Sequence, residues 1–253
     1  AAEISAFDPH TKKLFVVKND VSPARIEVIN LANPSAPAVL ENISISAFGA
    51  AVNSVSVSNW MLAAAIETSP KQLPGRIVVF KTTNYSVLAN REVGSLPDMV
   101  TFSPDGRYIL SANEGEPNAD YTVDPVGSVS ILDVYQNFAV TTRDFSRFAR
   151  WENLFKARGL RKFGPNASFA QDMEPEYVAI SDNSKTAWVS LQENNAIARI
   201  DIKSKSIEAI LPLGYKDYNI PFNAIDPSDA DGLVGNFSAW PVKGMYLPDA
   251  IAI

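Results

Sequence analysis

A repeated pattern of strands and acidic residues is the feature that most limits how this chain can fold. Apolar and polar residues alternate with the period of a β-strand in five similar segments. These segments begin at Glu3, Asn53, Asp98, Glu176 and Asp249. A second and a third strand pattern, and a weaker fourth, follow each of the first four segments. The repeated unit is therefore four β-strands long.

Four strands per unit, joined by connections of variable length, predict an all-β fold of the β-propeller class, with one unit per blade. We expect one incomplete propeller domain over residues 1–253, with blades starting near 3, 53, 98, 176 and 249. Two intervals exceed the usual length of about 40–50 residues per blade. We assign the excess to insertions near 141–174 and 214–247, of which the first includes a short helix with a basic face.

The incomplete fifth unit predicts that further blades accompany this chain. The sequence stops one strand into this unit, which predicts four blades plus one strand and an open sheet edge. We therefore expect the remaining half of the propeller to come from the same precursor or from a second chain, in a homo- or hetero-oligomer. The complete ring would then have about seven blades.

The repeat also predicts where acidic residues meet. In a propeller the first strand of each blade lines the central channel, and the second strand returns to the rim where the first begins. Residues at strand starts and strand ends should therefore form one ring, and 17, 14, 16 and 17 residues separate the paired positions. The strand ends contribute Asp20, Glu67, Glu114 and Glu193, with Glu116 and Glu174 close by.

Crowded carboxylates raise each other's pKa unless a cation lies among them. Oxygen ligands without histidine or cysteine favour Ca²⁺ over zinc or copper. The sequence therefore predicts a Ca²⁺ site with seven candidate ligands: Asp98, Glu114, Glu116, Glu174, Glu176, Glu193 and Asp249. The alternative is that these side chains cap turns and accept hydrogen bonds from backbone amides.

Composition excludes several classes of partner and chemistry. The net charge of −6 argues against nucleic acid and anionic membranes. No apolar run reaches about 18 residues, so we expect no membrane-spanning helix. There is no cysteine, and the single histidine, His10, lies in a predicted turn, which excludes thiolate and multi-histidine metal sites. Four glycosylation sequons indicate secretion only weakly, since about two or three arise by chance. They are at Asn42, Asn84, Asn166 and Asn236.

Three segments resemble the choice-of-anchor I family. They read "LPDMVTFSPDGRYILSANEGEPNADYTVDPVGSVSILDV", "DMEPEYVAISDNSKTAWVSLQENNAIARIDI" and "WPVKGMYLPDAIA". The resemblance implies an extracellular or cell-surface propeller. That family includes mesenchyme-specific cell-surface glycoproteins of biomineralising animal cells and bacterial proteins labelled alkaline-phosphatase-like. Its sequences normally continue past "PDAIA", which agrees with the expected missing half.

Three functions follow as hypotheses. The first is a non-enzymatic extracellular propeller that binds Ca²⁺ on an acidic face and acts in adhesion, matrix or mineral association. The second is a calcium-dependent phosphoester hydrolase, which needs a basic residue such as Lys18, Arg199 or Lys243 to hold phosphate. The third is a carrier of a small ligand or pigment, including apolar ones. Its site would use aromatic residues of the second insertion: Tyr215, Tyr218, Phe222, Phe237 and Trp240.

Overall fold

The computed structural model describes residues 4–253, and its strands fold into four antiparallel four-stranded sheets. Strands follow chain order across each sheet, as expected for consecutive hairpins. The first two sheets contain β1 (Ser5–Asp8), β2 (Lys13–Lys18), β3 (Arg25–Asn30), β4 (Ala38–Ser44), β5 (Ala51–Ser58), β6 (Met61–Glu67), β7 (Pro74–Lys81) and β8 (Val87–Ser95). The other two contain β9 (Pro97–Phe102), β10 (Tyr108–Asn113), β11 (Ser128–Asp133), β12 (Ala139–Asp144), β13 (Pro175–Ile180), β14 (Thr186–Leu191), β15 (Ala196–Asp201) and β16 (Ser206–Pro212).

Burial falls from the inner strands to the outer strand of a sheet. In the third sheet, β10 and β11 are buried along their whole length, whereas β12 is largely exposed. Such a gradient is expected when sheets stack face to face, because neighbouring sheets cover both faces of the inner strands. A continuous apolar run such as "YIL" therefore forms a strand here without strict alternation.

Three clusters of buried apolar side chains hold neighbouring sheets together. Phe15 and Phe80 belong to the cluster between the first two sheets. Ile109 belongs to the cluster between the second and third. Leu110 and Val189 belong to the cluster between the third and fourth. Fully burying a side chain of this size contributes about 1.5–3 kcal/mol, so the sheets stabilise one another by contact.

The first strands of successive sheets also contact each other, β1 with β5, β5 with β9, and β9 with β13. A cavity of about 810 Å³ is lined mainly by these four strands, together with Asp249 and Ala250. This arrangement of four-stranded sheets around a common cavity is consistent with a β-propeller. Within residues 4–253 no sheet closes on itself.

The connections contain the remaining elements. After the 3₁₀ helix Val134–Gln136, the first insertion forms a 3₁₀ helix, Ser146–Trp151, and α1 (Glu152–Ala157). In the second insertion, β17 (Lys216–Asp217) pairs with β18 (Lys243–Gly244), and short 3₁₀ helices lie between them at Pro221–Asn223 and Asp229–Asp231. No helix in the described part of the chain is long and apolar enough to cross a membrane.

Residues 249–253 correspond to the expected first strand of a fifth blade. They belong to no sheet in the structure. Ile251, Ala252 and Ile253 instead line a cavity of about 290 Å³ with Trp188 and Ile197 of the fourth sheet. This segment therefore lies across a cavity from the fourth sheet without backbone pairing, and Ser190 Oγ donates to the carbonyl of Asp249 at 3.3 Å.

Candidate metal centre

A β-bulge recurs at the start of the first strand in three consecutive sheets. In the second sheet the pairing register shifts at Asn53. It shifts at Asp98 in the third sheet, and at Glu176 and Tyr177 in the fourth. A bulge re-aims the side chain of the extra residue. The bulged position is polar in all three sheets, with Asn53, Asp98 and Glu176. Asn53 and Asp98 line the 810 Å³ cavity, and in the fourth sheet the next residue, Tyr177, lines it.

In two of these sheets the bulged residue is bonded to the end of the second strand. Asn53 Nδ2 donates to Glu67 Oε2 at 3.2 Å in the second sheet. In the fourth sheet, the amide of Gln192 faces Glu176 and, with its nitrogen on that side, donates to Oε1 at 2.9 Å. Each pair joins one amide to one carboxylate, so the negative charge has a hydrogen-bond donor within its own sheet.

The equivalent pair in the third sheet consists of two carboxyl groups, Asp98 and Glu114. The register places them there, because the backbone N–H of Glu114 donates to the carbonyl of Leu96 at 2.8 Å. Burial raises the pKa of Glu114 to about 9, and repulsion from Asp98 and other nearby carboxylates adds to the effect. Neighbouring carboxyl groups cannot both ionise cheaply. The two negative charges therefore repel each other, and a proton or a cation at Glu114 would relieve the repulsion.

The register also corrects one residue of the expected ring. Glu193 was expected to end the second strand of the fourth sheet, but Gln192 occupies the position equivalent to Glu114. The interval from Glu176 to Gln192 is 16 residues, the same as from Asp98 to Glu114. Glu193 lies one residue further along the chain, where it forms an ion pair with Arg161.

Four of the seven predicted ligands line a single cavity of about 340 Å³, which we call the acidic pocket. They are Glu114, Glu116, Glu174 and Glu193, and the rings of Tyr121 and Phe163 complete part of the wall. Glu174 is 4% exposed, and its carboxyl group makes no hydrogen bond or ion pair within residues 4–253. Burial raises the pKa of Glu174 to about 8, and repulsion from other carboxylates adds to the shift.

Two carboxylates of the acidic pocket already face cations. Lys71 Nζ forms an ion pair with Glu116. Arg161 Nη1 lies 2.7 Å from Glu193 Oε2. Burial acts to lower the pKa of Lys71, but its hydrogen bond to Glu116 and nearby negative charges outweigh burial and raise that pKa. Glu114 and Glu174 form no such pair in the part of the chain that the structure describes.

The other three predicted ligands lie outside the acidic pocket: Asp98 and Asp249 line the central cavity, and Glu176 faces Gln192. Burial raises the pKa of Glu176 to about 7, and repulsion from Asp98 and Asp249 adds to the shift. Glu114 lines the acidic pocket, and carboxylates of both groups contribute to the repulsion that raises its pKa. As the side chains stand, no three of the described His, Cys, Asp or Glu residues already surround one metal position.

Glycines and buried amides hold the loops around the acidic pocket. A Cβ on Gly127 would lie 1.7 Å from the carbonyl oxygen of Met173, so only glycine permits this approach of the two segments. Asn194 Oδ1 accepts a hydrogen bond from the N–H of Glu174 at 3.1 Å. Asn195 Nδ2 donates at 2.7 Å to the carbonyl of Gly214. The sequence shows this glycine and the two adjacent asparagines. It does not show their role, because their partners are far away in the chain.

The basic residues expected to hold phosphate have other partners. Lys18 Nζ lies 3.3 Å from Asp20 Oδ1, and Asp20 is one of the acids of the expected ring. Arg199 pairs with Glu208 at 3.1 Å on the fourth sheet. Lys243 lies in β18 of the second insertion. The cations beside the acidic pocket, Lys71 and Arg161, were not expected, because each is far in sequence from its glutamate.

Two further sets of predicted residues are at the surface. The four sequon asparagines are exposed: Asn42, Asn84, Asn166 and Asn236. Most aromatic residues of the second insertion are exposed as well, with exposed fractions of 39% for Tyr215, 97% for Phe222, 68% for Phe237 and 43% for Trp240. These rings offer a small ligand little enclosure. Glu3 of the expected ring lies outside the described residues.

Comparison with known families agrees with the strand repeat. The family model of the choice-of-anchor I domain matches residues 3–253. The chain belongs to the choice-of-anchor I family. Membership confirms the resemblance seen in the sequence, and choice-of-anchor domains indicate an extracellular or cell-surface protein.

Comparisons with individual proteins add little. No curated protein sequence matches this choice-of-anchor I domain. Among solved structures, the domain is similar to hydrazine synthase of Kuenenia stuttgartiensis, with a TM-score of 0.45 and 13% sequence identity over 83% of this chain and 74% of that one. A similarity this low carries no argument about the function of this domain.

Proposed function

We propose that this choice-of-anchor I domain is a non-enzymatic, extracellular or cell-surface β-propeller that binds Ca²⁺ at the acidic pocket. The carboxyl group of Glu174 carries the proposal. It is 4% exposed, lines the acidic pocket and has no bonding partner among the described residues. A buried carboxylate without a partner is costly. A proton or a cation in the acidic pocket would relieve that cost.

The donor set fits calcium by its chemistry. All the candidate ligands are oxygen donors, which Ca²⁺ prefers, and its flexible coordination tolerates ligands from several loops. Glu114 and Glu174 would hold the ion, with Glu116 and Glu193 joining as they exchange Lys71 and Arg161 for the metal. Calcium binding would release protons, because Glu114 and Glu174 must ionise before they can coordinate.

The remaining parts of the proposal concern the whole protein. We propose that further blades complete a ring of about seven, supplied by the same precursor or by a second chain. The calcium-loaded acidic face would then act in adhesion, matrix or mineral association, as the family resemblance implies. Glycosylation at the four exposed sequons would suit this location.

Calorimetric titration of calcium tests the site directly. We expect the wild type to bind Ca²⁺ with release of protons, measured by comparing buffers of different ionisation enthalpy. Glu114→Gln and Glu174→Gln should each weaken binding by at least about tenfold, or about 1.4 kcal/mol, because an amide keeps one oxygen but loses the charge. The melting temperature should rise with calcium and fall with EDTA.

A matched control is available on the second sheet. Glu92 is exposed and lies in β8, away from the acidic pocket, so Glu92→Gln should leave calcium affinity unchanged. The proposal would be wrong if the wild-type melting curve were the same in calcium and in EDTA. It would also be wrong if all three variants bound calcium as the wild type does.

A second candidate function is supported by the two cations at the acidic pocket. Lys71 and Arg161 lie beside carboxylates that could hold calcium, and a phosphoester hydrolase needs both a metal and a basic group for phosphate. Hydrolysis of p-nitrophenyl phosphate by calcium-loaded protein, lost in Lys71→Ala and Arg161→Ala, would favour this function. The leading proposal expects no calcium-dependent hydrolysis.

A further inference from the structure

A second charged surface has the opposite sign. Five of the ten arginines lie between residues 143 and 161, although the chain has a net charge of −6. Arg161 pairs with Glu193. The other four are exposed, and none forms an ion pair within the described residues. We call the following set the arginine surface: Arg143, Arg147, Arg150, Trp151, Leu154 and Arg158.

Local structure orients these arginines. Arg147 and Arg150 are three residues apart in the 3₁₀ helix Ser146–Trp151, where side chains at that spacing lie on the same face. The guanidinium of Arg150 lies 3.9 Å from the ring centroid of Trp151, and that of Arg147 lies 4.9 Å from that of Phe148. Stacking holds the guanidinium plane, while its N–H groups can still donate to a ligand.

An apolar groove lies beside the stacked arginines. It has a volume of about 220 Å³, and its wall includes Trp151, Leu154 and Phe148. Trp151 is 38% exposed and Leu154 is 46% exposed. Glu208 contributes the one carboxylate of the groove, and its pairing with Arg199 at 3.1 Å offsets its charge. The surface therefore combines cations with a partly exposed aromatic ring.

We propose that the arginine surface binds an acidic polysaccharide, a chain of sugars that carry sulfate or carboxylate groups. Guanidinium groups match both anions with two parallel hydrogen bonds. The ring of Trp151 and the groove suit the apolar face of a sugar. An anionic bilayer fits less well, because α1 has six residues and two partly exposed apolar side chains offer little area for insertion.

The extracellular or cell-surface location indicated by the family agrees with such a ligand. None of the proposed calcium ligands belongs to the arginine surface. The two proposals can therefore fail separately, and the polysaccharide experiment is done in EDTA so that calcium plays no part.

Calorimetric titration with size-fractionated heparin tests the proposal, with neutral dextran of similar length as the uncharged comparison. We expect heparin but not dextran to bind the wild type. Arg147→Ala/Arg150→Ala should weaken binding by at least about tenfold. Lys81→Ala/Lys185→Ala removes the same charge from exposed sites on other hairpins and should change affinity less than about twofold. Trp151→Ala should also weaken binding, without any change in charge.

Several results would overturn the proposal. Equal losses in the two double variants would mean that heparin senses only the overall charge. Unchanged binding in Trp151→Ala would remove the sugar-stacking role. Binding of the wild type to phosphatidylserine vesicles or to DNA, without binding to heparin, would assign the arginine surface to another class of ligand. Circular dichroism melting of each variant shows whether a loss of binding reflects a loss of fold.

Discussion

At the residue scale, three glutamates have carboxyl groups whose surroundings favour the neutral form. Burial, followed by repulsion from neighbouring carboxylates, raises the pKa from an ordinary 4.5 to about 9 for Glu114, about 8 for Glu174 and about 7 for Glu176. Strongly shifted carboxyl groups gathered at one place are typical of functional sites. Here they make the folded state sensitive to both protons and cations.

These shifts predict how stability depends on pH when calcium is absent. A raised pKa means that the folded state binds protons more tightly than the unfolded state. The contribution of these three groups to stability is therefore fully present below pH 4.5 and is lost as pH rises towards 9. We expect the free energy of unfolding, measured with urea in EDTA, to fall by about 2 kcal/mol between pH 5 and pH 9. This loss of free energy stays small because the neighbouring carboxyl groups share protons and solvent screens their charges.

Glu114→Gln is the matched variant for this measurement. It removes the group with the largest shift, so the loss of stability with rising pH should become smaller. Saturating calcium should also reduce the loss, because the metal takes the place of the protons. Equal pH dependence in the wild type and the variant would contradict the assignment of a raised pKa to Glu114.

At the element scale, the recurring bulge explains why one sheet differs from its neighbours. The second and fourth sheets place an amide beside a carboxylate at the bulge, whereas the third sheet places Asp98 beside Glu114. The backbone register is equivalent in the three sheets, so the side chains alone make the difference. Exchanging amide and carboxylate between sheets therefore tests the site with little change in shape.

Asp98→Asn would give the third sheet the same pair as the second. In EDTA the pKa of Glu114 should be less raised in this variant, because one of the carboxylates that repel it is removed, so stability should depend less on pH. Calcium affinity should fall less than in Glu114→Gln, because Asp98 does not line the acidic pocket. The reciprocal change, Asn53→Asp, places two carboxylates in the second sheet and removes the bond to Glu67. It should lower stability in EDTA by about 1–2 kcal/mol.

Calcium should restore little of the stability that Asn53→Asp loses, because Asn53 and Glu67 do not line the acidic pocket. Melting curves of both variants, recorded in EDTA and in calcium, measure how each substitution changes stability. An Asp98→Asn protein whose stability in EDTA falls with rising pH as steeply as that of the wild type would show that Asp98 does not repel Glu114.

At the scale of the whole molecule, the outer face of the first sheet carries one row of apolar side chains. Phe7, Leu14, Ile29 and Val39 are cross-strand neighbours and form a row on the face opposite the core cluster shared with the second sheet. Phe7 is 47% exposed and Val39 is 59% exposed. In a propeller this face of a blade packs against another blade. We therefore expect further four-stranded units to cover it.

Native mass spectrometry of the protein purified from its source tests ring completion. The expected result is additional four-stranded units, either in the same polypeptide or in a tightly bound second one. Hydrogen exchange should then protect β1 and β4 in the complete assembly. A native assembly containing only the four sheets described here, with β4 unprotected, would contradict the proposed ring.

The sequence alone was sufficient for the strand units and for the family. Alternation of apolar and polar residues is a local property of the sequence. It therefore predicts first strands at Asn53, Asp98 and Glu176 without any information about the neighbouring segments. The same local pattern placed acids at strand starts and strand ends. It therefore also predicted that carboxylates from different units would come together.

Only the tertiary structure decided which of these carboxylates share a cavity and which already have partners. The register of β13 against β14 decides that Gln192, and not Glu193, occupies the position equivalent to Glu114. The ion pair of Lys71 with Glu116 spans 45 residues. The physical reason is that register, bulges and close glycine contacts arise from hydrogen bonds and packing between segments far apart in the chain, which local periodicity does not encode.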